Sequence, residues 1–155
     1  MTPAIRLLQR EQVAFTTHAY DHDPDADSFG AEAAEKLGVD LGRVFKTLVC
    51  QAEGVGLFQV LVPVAARLDL KKLARALEVK KADLADGGVA ERTTGYVLGG
   101  ICPLGGRKAL PTWIDASVSA LPSVYVSAGR RGLEIELAPA DLIRLTGASV
   151  AELAG

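Results

Sequence analysis

The sequence predicts a single α+β domain on a mixed, mostly antiparallel sheet surrounded by helices, and three observations carry that prediction. Two apolar runs, VFKTLVCQ (44–51) and LFQVLVP (57–63), are joined by Ala52-Glu53-Gly54-Val55-Gly56, whose two glycines suit a short hairpin loop. Directly after them, Leu70, Leu73, Ala74 and Leu77 repeat at helical spacing with Lys71, Lys72, Arg75 and Glu78 on the opposite side. Strands are then interrupted irregularly by helices rather than in repeated β-α-β units, which favours hairpins over a doubly wound parallel sheet. With 155 residues, 49% of them hydrophobic and 23% charged, the chain fits one domain, 1–155, able to bury a core without disulfides or metal.

The elements follow in order. Thr2 as N-cap with Pro3 at N1 starts a helix whose apolar side is Ile5, Leu8 and Val13. AFTTHAY (14–20) reads as a strand, and the acidic, turn-rich DHDPDADS ends at Ser28, an N-cap for a helix through Leu37 that Gly38 terminates. After the hairpin and the helix from Asp69, a second helix is expected over Ala82–Arg92. TTGYVLGGICPLGG (93–106) holds five glycines and a proline in fourteen residues and excludes a regular element. LPTWID and SVYVSA read as strands, RRGLEIELA as another with Arg130-Arg131-Gly132 as its turn, and Pro139 opens a C-terminal helix through Leu145. No G-x-G-x-x-G spacing occurs in the glycine-rich loop, which follows an expected helix rather than a strand, so a dinucleotide-binding fold is disfavoured.

Charge and composition exclude several classes. A formal charge of −2 means that the whole molecule is no electrostatic magnet for nucleic acid, so an RNA partner has to use a local patch. Cys50 and Cys102 are too few and too far apart for a secreted disulfide framework or a zinc site. No apolar run approaches the ~20 residues of a membrane span, so the expectation is a soluble, cytoplasmic chain with no membrane partner.

The candidate chemistry begins with Lys46, one ammonium in the apolar run VFKTLV. Strand parity places Val44, Lys46, Leu48 and Cys50 on one face and Phe45, Thr47 and Val49 on the other. Either Lys46 snorkels to water or it stands at the floor of a pocket, donating to a carbonyl or phosphate oxygen; parity alone leaves both open. Gly99 and Gly100 either form a long turn or let a ligand approach backbone N–H groups, with Pro103 stiffening the wall. Tyr20 at a strand end reads as a rim aromatic or a ligand contact, and Thr47 as a strand former. His18 and His22 lie on a strand and a turn, not one helical face, so no metal site is expected. Cys50, Cys102 and Ser127 lack a recognisable base, and SVYVSAG is not a nucleophile elbow. Lys71, Lys72 and Arg75, continued by Lys80 and Lys81, form the densest positive patch, a solvated helix face able to meet phosphates.

Taken in order, Tyr20, VFKTLV, LDLKKLARAL, TGYVLGGICPLG and YVSAGRRGLEIELAPADL closely resemble the bacterial YbaK-type Cys-tRNA(Pro) deacylases, over nearly the whole chain. The resemblance implies the fold of the editing domain of prolyl-tRNA synthetase, with a partly closed, barrel-like sheet. It implies a free-standing enzyme that strips cysteine from mischarged tRNA(Pro), needs no cofactor, and works on the tRNA acceptor end with the synthetase as partner. It makes Lys46 the essential lysine, and Tyr20, Thr47, Gly99, Gly100, Ser127 and Glu134 pocket residues. The family often carries serine where Cys102 stands and aspartate where Glu134 stands. Its chemistry, in which the substrate's own thiol attacks the ester carbonyl, suits a site without a side-chain nucleophile. The rival expectations are a deacylase for Ala-tRNA(Pro) or another small aminoacyl-tRNA, and a non-catalytic tRNA- or synthetase-binding module.

Overall fold

The computed structural model describes residues 1–155. Thr2 caps α1 (Pro3–Arg10) by accepting from the N–H of Ile5, and its hydroxyl donates to the carbonyl of Ala128, tying the helix start to the sheet. β1 is Phe15–Ala19. Ser28 caps α2 (Phe29–Leu37), and Gly38 ends it in the left-handed conformation. The hairpin is β2 (Phe45–Ala52) and β3 (Gly56–Pro63), antiparallel as the glycine loop predicts. Asp69 then caps α3 (Leu70–Leu77). β4 (Ala82–Leu84) and α4 (Gly87–Thr94) follow, then β5 (Thr112–Asp115), β6 (Val124–Arg130) and β7 (Leu133–Leu137). α5 (Pro139–Thr146) and β8 (Ser149–Ala151) close the chain.

The strands form two sheets. One is antiparallel, in the order β1-β7-β6, and the other is mixed, in the order β4-β2-β3-β5-β8, with β5 parallel to both β3 and β8. A single parallel bridge, Val44 to Tyr125, joins them. The expected barrel-like closure is therefore corrected to two separate sheets: the bridge is made by Val44, the residue just before β2, and no ladder between β2 and β6 continues from it. The expected helix over 82–92 is also corrected. Ala82–Leu84 pairs with Cys50–Ala52, covering the edge of β2 that faces away from β3, and the helix starts only after Asp86 caps it through the N–H of Gly88. Tertiary pairing overrides helix propensity there.

The parity of β2 divides the interior. Phe45 and Val49 join Leu61, Ile114, Val126, Ile135, Leu8 and Leu142 in the main core between the sheets. Cys50 lies on the opposite face with Phe58, Val60 and Val62, beneath Leu73 and Ala74 of α3. A third small cluster packs Ala33 and Ala34 of α2 on Val44 and Tyr125, with Tyr20 at its side. α2 thus sits over the polar face of the three-stranded sheet. Val44 and the residues after it are left in the notch between the two sheets.

Candidate active site

A cavity of about 360 Å³ opens in that notch, lined by Val44 to Leu48, the start of α2, the Leu98–Ile101 loop, Ser127 and Glu134. It exists because β2 is only half paired on one side. The carbonyl of Val49 accepts from the N–H of Ala85, and β4 pairs only with Cys50–Ala52, so nothing continues the ladder alongside Thr47. The register shows which groups this leaves free. Val64 N–H donates to the Val44 carbonyl, and Lys46 stands opposite Val62, so the main chain of Val44, Lys46 and Leu48 is turned toward β3. The N–H and C=O of Thr47 therefore face away from β3, into the gap. The Thr47 hydroxyl is buried without a hydrogen-bond partner. An orphaned buried hydroxyl costs free energy on the order of 1–3 kcal/mol, which a bound ligand can restore.

Lys46 lies at the same place with its side chain half buried, and it forms no ion pair. Burial and the neighbouring Arg67 guanidinium both hold its ammonium below the ordinary lysine range. Lys46 is one of the residues that line the cavity.

Glu134, which also lines the cavity, is paired in register with Ser127 on one side and His18 on the other. Its residue is only 6% exposed, and burial with no cation to offset it pushes the carboxyl up to about 8. Between Ser127 and Arg130 the β6–β7 register shifts, a bulge that redirects the strand after Ser127. Gly129 has φ +109° there, and a Cβ on it would fall 2.7 Å from the Tyr96 ring.

The glycine loop lines the cavity through Leu98, Gly99 and Ile101 and is held at Leu98 by two hydrogen bonds. Leu98 N–H donates to Glu91 at 2.8 Å, and its carbonyl accepts from Arg131 Nε at 2.8 Å. Gly99 has φ +83° and lies so close to Phe29 that a Cβ would be 2.7 Å from the ring. Gly100 plays a different part: it does not line the cavity but packs on the hairpin, where a Cβ would come within 2.8 Å of the Arg130 Cα. Gly100→Ala is accordingly expected to cost about 1–3 kcal/mol, read as a lower thermal midpoint, because backbone cannot yield as a side chain can.

Tyr20 likewise stays off the cavity surface. It packs beside Ala33, Ala34 and Val44, with the Lys36 ammonium 5.9 Å from its ring centre. Burial and the nearby Glu134 and Glu32 charges push its phenol up to about 12. Of the residues singled out from the sequence, Lys46, Thr47, Gly99, Ser127 and Glu134 come together, and Tyr20 and Gly100 support from behind.

Several lining residues were missed. Asp27, Ser28, Phe29 and Gly30 reach the cavity because α2 begins there, and Phe45 and Ile101 supply apolar floor. The only signal for the first group was the N-cap at Ser28, read as local structure. The acidic segment before it is fixed by Glu32, which accepts from Asp23 N–H at 2.7 Å and pairs with His22 Nδ1 at 2.7 Å and with Lys36. Burial alone would raise this carboxyl, but these partners outweigh it and hold Glu32 down at about 2.

The same arrangement of elements is found in known proteins. Residues 23–145 match the family model described as the aminoacyl-tRNA editing domain. The chain is 38% identical over 153 residues, 98% of its length and 92% of the relative's, to the Enterococcus faecalis protein named "Putative Cys-tRNA(Pro)/Cys-tRNA(Cys) deacylase EbsC". A crystal structure described as that of "a putative trans-editing enzyme for prolyl tRNA synthetase" superposes with a TM-score of 0.83 at 27% identity, covering 100% of this chain and 98% of that one. The structure of hypothetical protein APE2540 superposes with a TM-score of 0.88 at 24% identity, over 99% of this chain and all of that one, and shows the common fold. By domain match, by sequence and by fold, the chain belongs to the YbaK/ProX family of aminoacyl-tRNA editing domains.

Proposed function

We propose that this protein is a trans-editing deacylase that removes cysteine from mischarged Cys-tRNA(Pro). The observation that carries the reading is the cavity itself: a free ammonium, an unpartnered hydroxyl and a proton-holding carboxyl converge in about 360 Å³, and no cysteine or histidine lines it. Such a site binds and polarises an ester but offers no side-chain thiol or imidazole-activated serine to attack it. The attacking group then comes from the substrate. The cysteine sulfur adds to its own ester carbonyl, the C–S bond forms, and the C–O bond to the terminal ribose breaks. The ribose hydroxyl leaves with a proton, and water later opens the thiolactone.

Each residue has a part in this account. Lys46 and the Gly99 backbone take up the negative charge that develops on the carbonyl oxygen. Glu134, which holds its proton up to about pH 8, passes it to the departing ribose oxygen, and the proton released by the thiol replaces it. Thr47 receives the aminoacyl group at its unpaired main chain and hydroxyl. Holding sulfur and carbonyl together can contribute roughly 7–11 kcal/mol. Prolyl-tRNA synthetase is the proposed partner that delivers the tRNA; the relation of a structural relative to that synthetase supports it.

The test is a panel of Cys-, Ala- and Ser-charged tRNA(Pro), with and without the synthetase. Multiple turnover with cysteine favoured by at least tenfold is expected, since alanine has no sulfur to attack with. Equal rates for alanine and cysteine would defeat the thiol-assisted account, and binding without turnover would leave a carrier module in its place.

A further inference from the structure

We infer that Arg67 is a second cation of this site and begins a phosphate-binding row, Arg67, Lys71 and Arg75, along which the tRNA 3′ strand leaves the cavity. The inference rests on the tRNA-editing reading above and adds the path of the nucleic acid.

The placement follows from β2. Lys46, Leu48 and Cys50 share one face of the hairpin, and α3 covers the Cys50 end of that face through Leu73 and Ala74. Lys46, at the other end, is left for the cavity. The segment leading into α3 returns over this face, with Leu68 packed against the same cluster and Arg67 exposed beside it. Arg67 stands near enough for its charge to depress the Lys46 ammonium. Neither cation has an ion-pair partner. Two adjacent like charges without a counter-ion repel, and an anion placed between them relieves that repulsion; a phosphodiester fits the need.

The row continues on α3. Lys71 and Arg75 are four residues apart, so they stack on one exposed side of the helix, and neither forms an ion pair. The acid nearest in sequence, Asp69, is engaged as the N-cap by the N–H groups of Lys71 and Lys72. Lys72 is held by the carbonyl of Ala154, Lys81 pairs with Asp83, and Glu78 closes the row at the helix end. At the cavity, the charge on Asp27 and the acidic segment before it repels phosphates, so the strand is directed over α3. In a molecule of net charge −2 this row is the local patch that an RNA ligand requires.

The experiment is equilibrium binding of uncharged tRNA(Pro) over a series of salt concentrations, which reads the surface without chemistry. Arg67→Ala is expected to weaken binding about 3- to 10-fold and to make the log–log salt slope shallower by about 0.7–0.9, and the triple Arg67→Ala/Lys71→Ala/Arg75→Ala variant by about three times that slope change. Arg67→Lys should restore most of the slope, Arg10→Ala on α1 should change nothing, and equal thermal midpoints show that the folds are intact. A triple variant that binds tRNA(Pro) with the wild-type affinity and salt slope overturns the row, including the case in which it loses only synthetase association. If tRNA binding depends on Arg67 but no aminoacyl-tRNA is hydrolysed, the row stands and the deacylase reading alone falls.

Discussion

Lys46→Ala is expected to lower the rate of Cys-tRNA(Pro) deacylation by about 10²–10³-fold, the loss typical when a single donor to a developing oxyanion is removed. The same substitution should leave the thermal midpoint unchanged or raise it. Lys46 has no ion-pair partner to lose, and its ammonium is already disfavoured by burial and by Arg67. A residue that weakens stability when kept yet is needed for turnover marks a site rather than a scaffold. Single-turnover deacylation assays paired with thermal melts decide the matter. Undiminished turnover in a folded variant removes Lys46 from the mechanism, and a large fall in the midpoint would instead make the lysine structural.

Glu134→Gln should change both stability and activity in a way that depends on pH. In the folded protein the carboxyl titrates at about 8, against an ordinary value of 4.5, because it is buried without compensation. The folded state therefore keeps a proton that the unfolded chain releases between those values. Stability from this group is fully present below pH 4.5 and is lost as pH rises toward about 8, by on the order of 5 kcal/mol in all. Glutamine carries no such charge, so the variant's advantage should grow with pH and reach roughly 10 °C in thermal midpoint above pH 8. Glu32 acts in the opposite sense: its carboxyl is held at about 2, so its contribution is lost only as pH falls below 4.5. In activity, wild-type turnover should fall above pH 8 as Glu134 loses the proton it passes to the ribose oxygen. Glu134→Gln should be slow at every pH and lack that limb. Parallel melting curves across pH 5–9 would show that Glu134 is not a buried acid.

Much of the fold was legible because its signals are local. The caps Thr2, Ser28 and Asp69, the terminator Gly38 and the Arg130–Gly132 turn each act within a few residues of themselves. The hairpin Phe45–Pro63 announced itself by two apolar runs and a glycine loop. What escaped was non-local. β4 forms at Ala82–Leu84 only because Cys50–Ala52 lies beside it, and β8 forms at Ser149–Ala151 only because β5 offers an edge. Each paired residue lies thirty or more positions from its mate in the sequence, and no helical or strand period marks such short segments.

The candidate site divides along the same line. Lys46 drew notice from the sequence because an ammonium in VFKTLV contradicts its surroundings, and Gly99 because it stands in a loop too rich in glycine to be regular. Arg67, Asp27 and Phe29 carried no such contradiction. Asp27 and Phe29 reach the cavity only because α2 folds back beside β2, and Arg67 comes near Lys46 only because the approach to α3 returns over the same face.

The sequence by itself determined which segments become helices and hairpin strands, which face of β2 each side chain takes, and that a lysine breaks the apolar pattern; period and capping are properties of neighbours along the chain. Only the tertiary structure decided that β2 remains half unpaired, that Glu134 is buried far enough to keep its proton, and that Gly100 serves packing while Gly99 faces the cavity. Those outcomes depend on which distant strands fill or leave an edge, and on how much water the resulting notch admits.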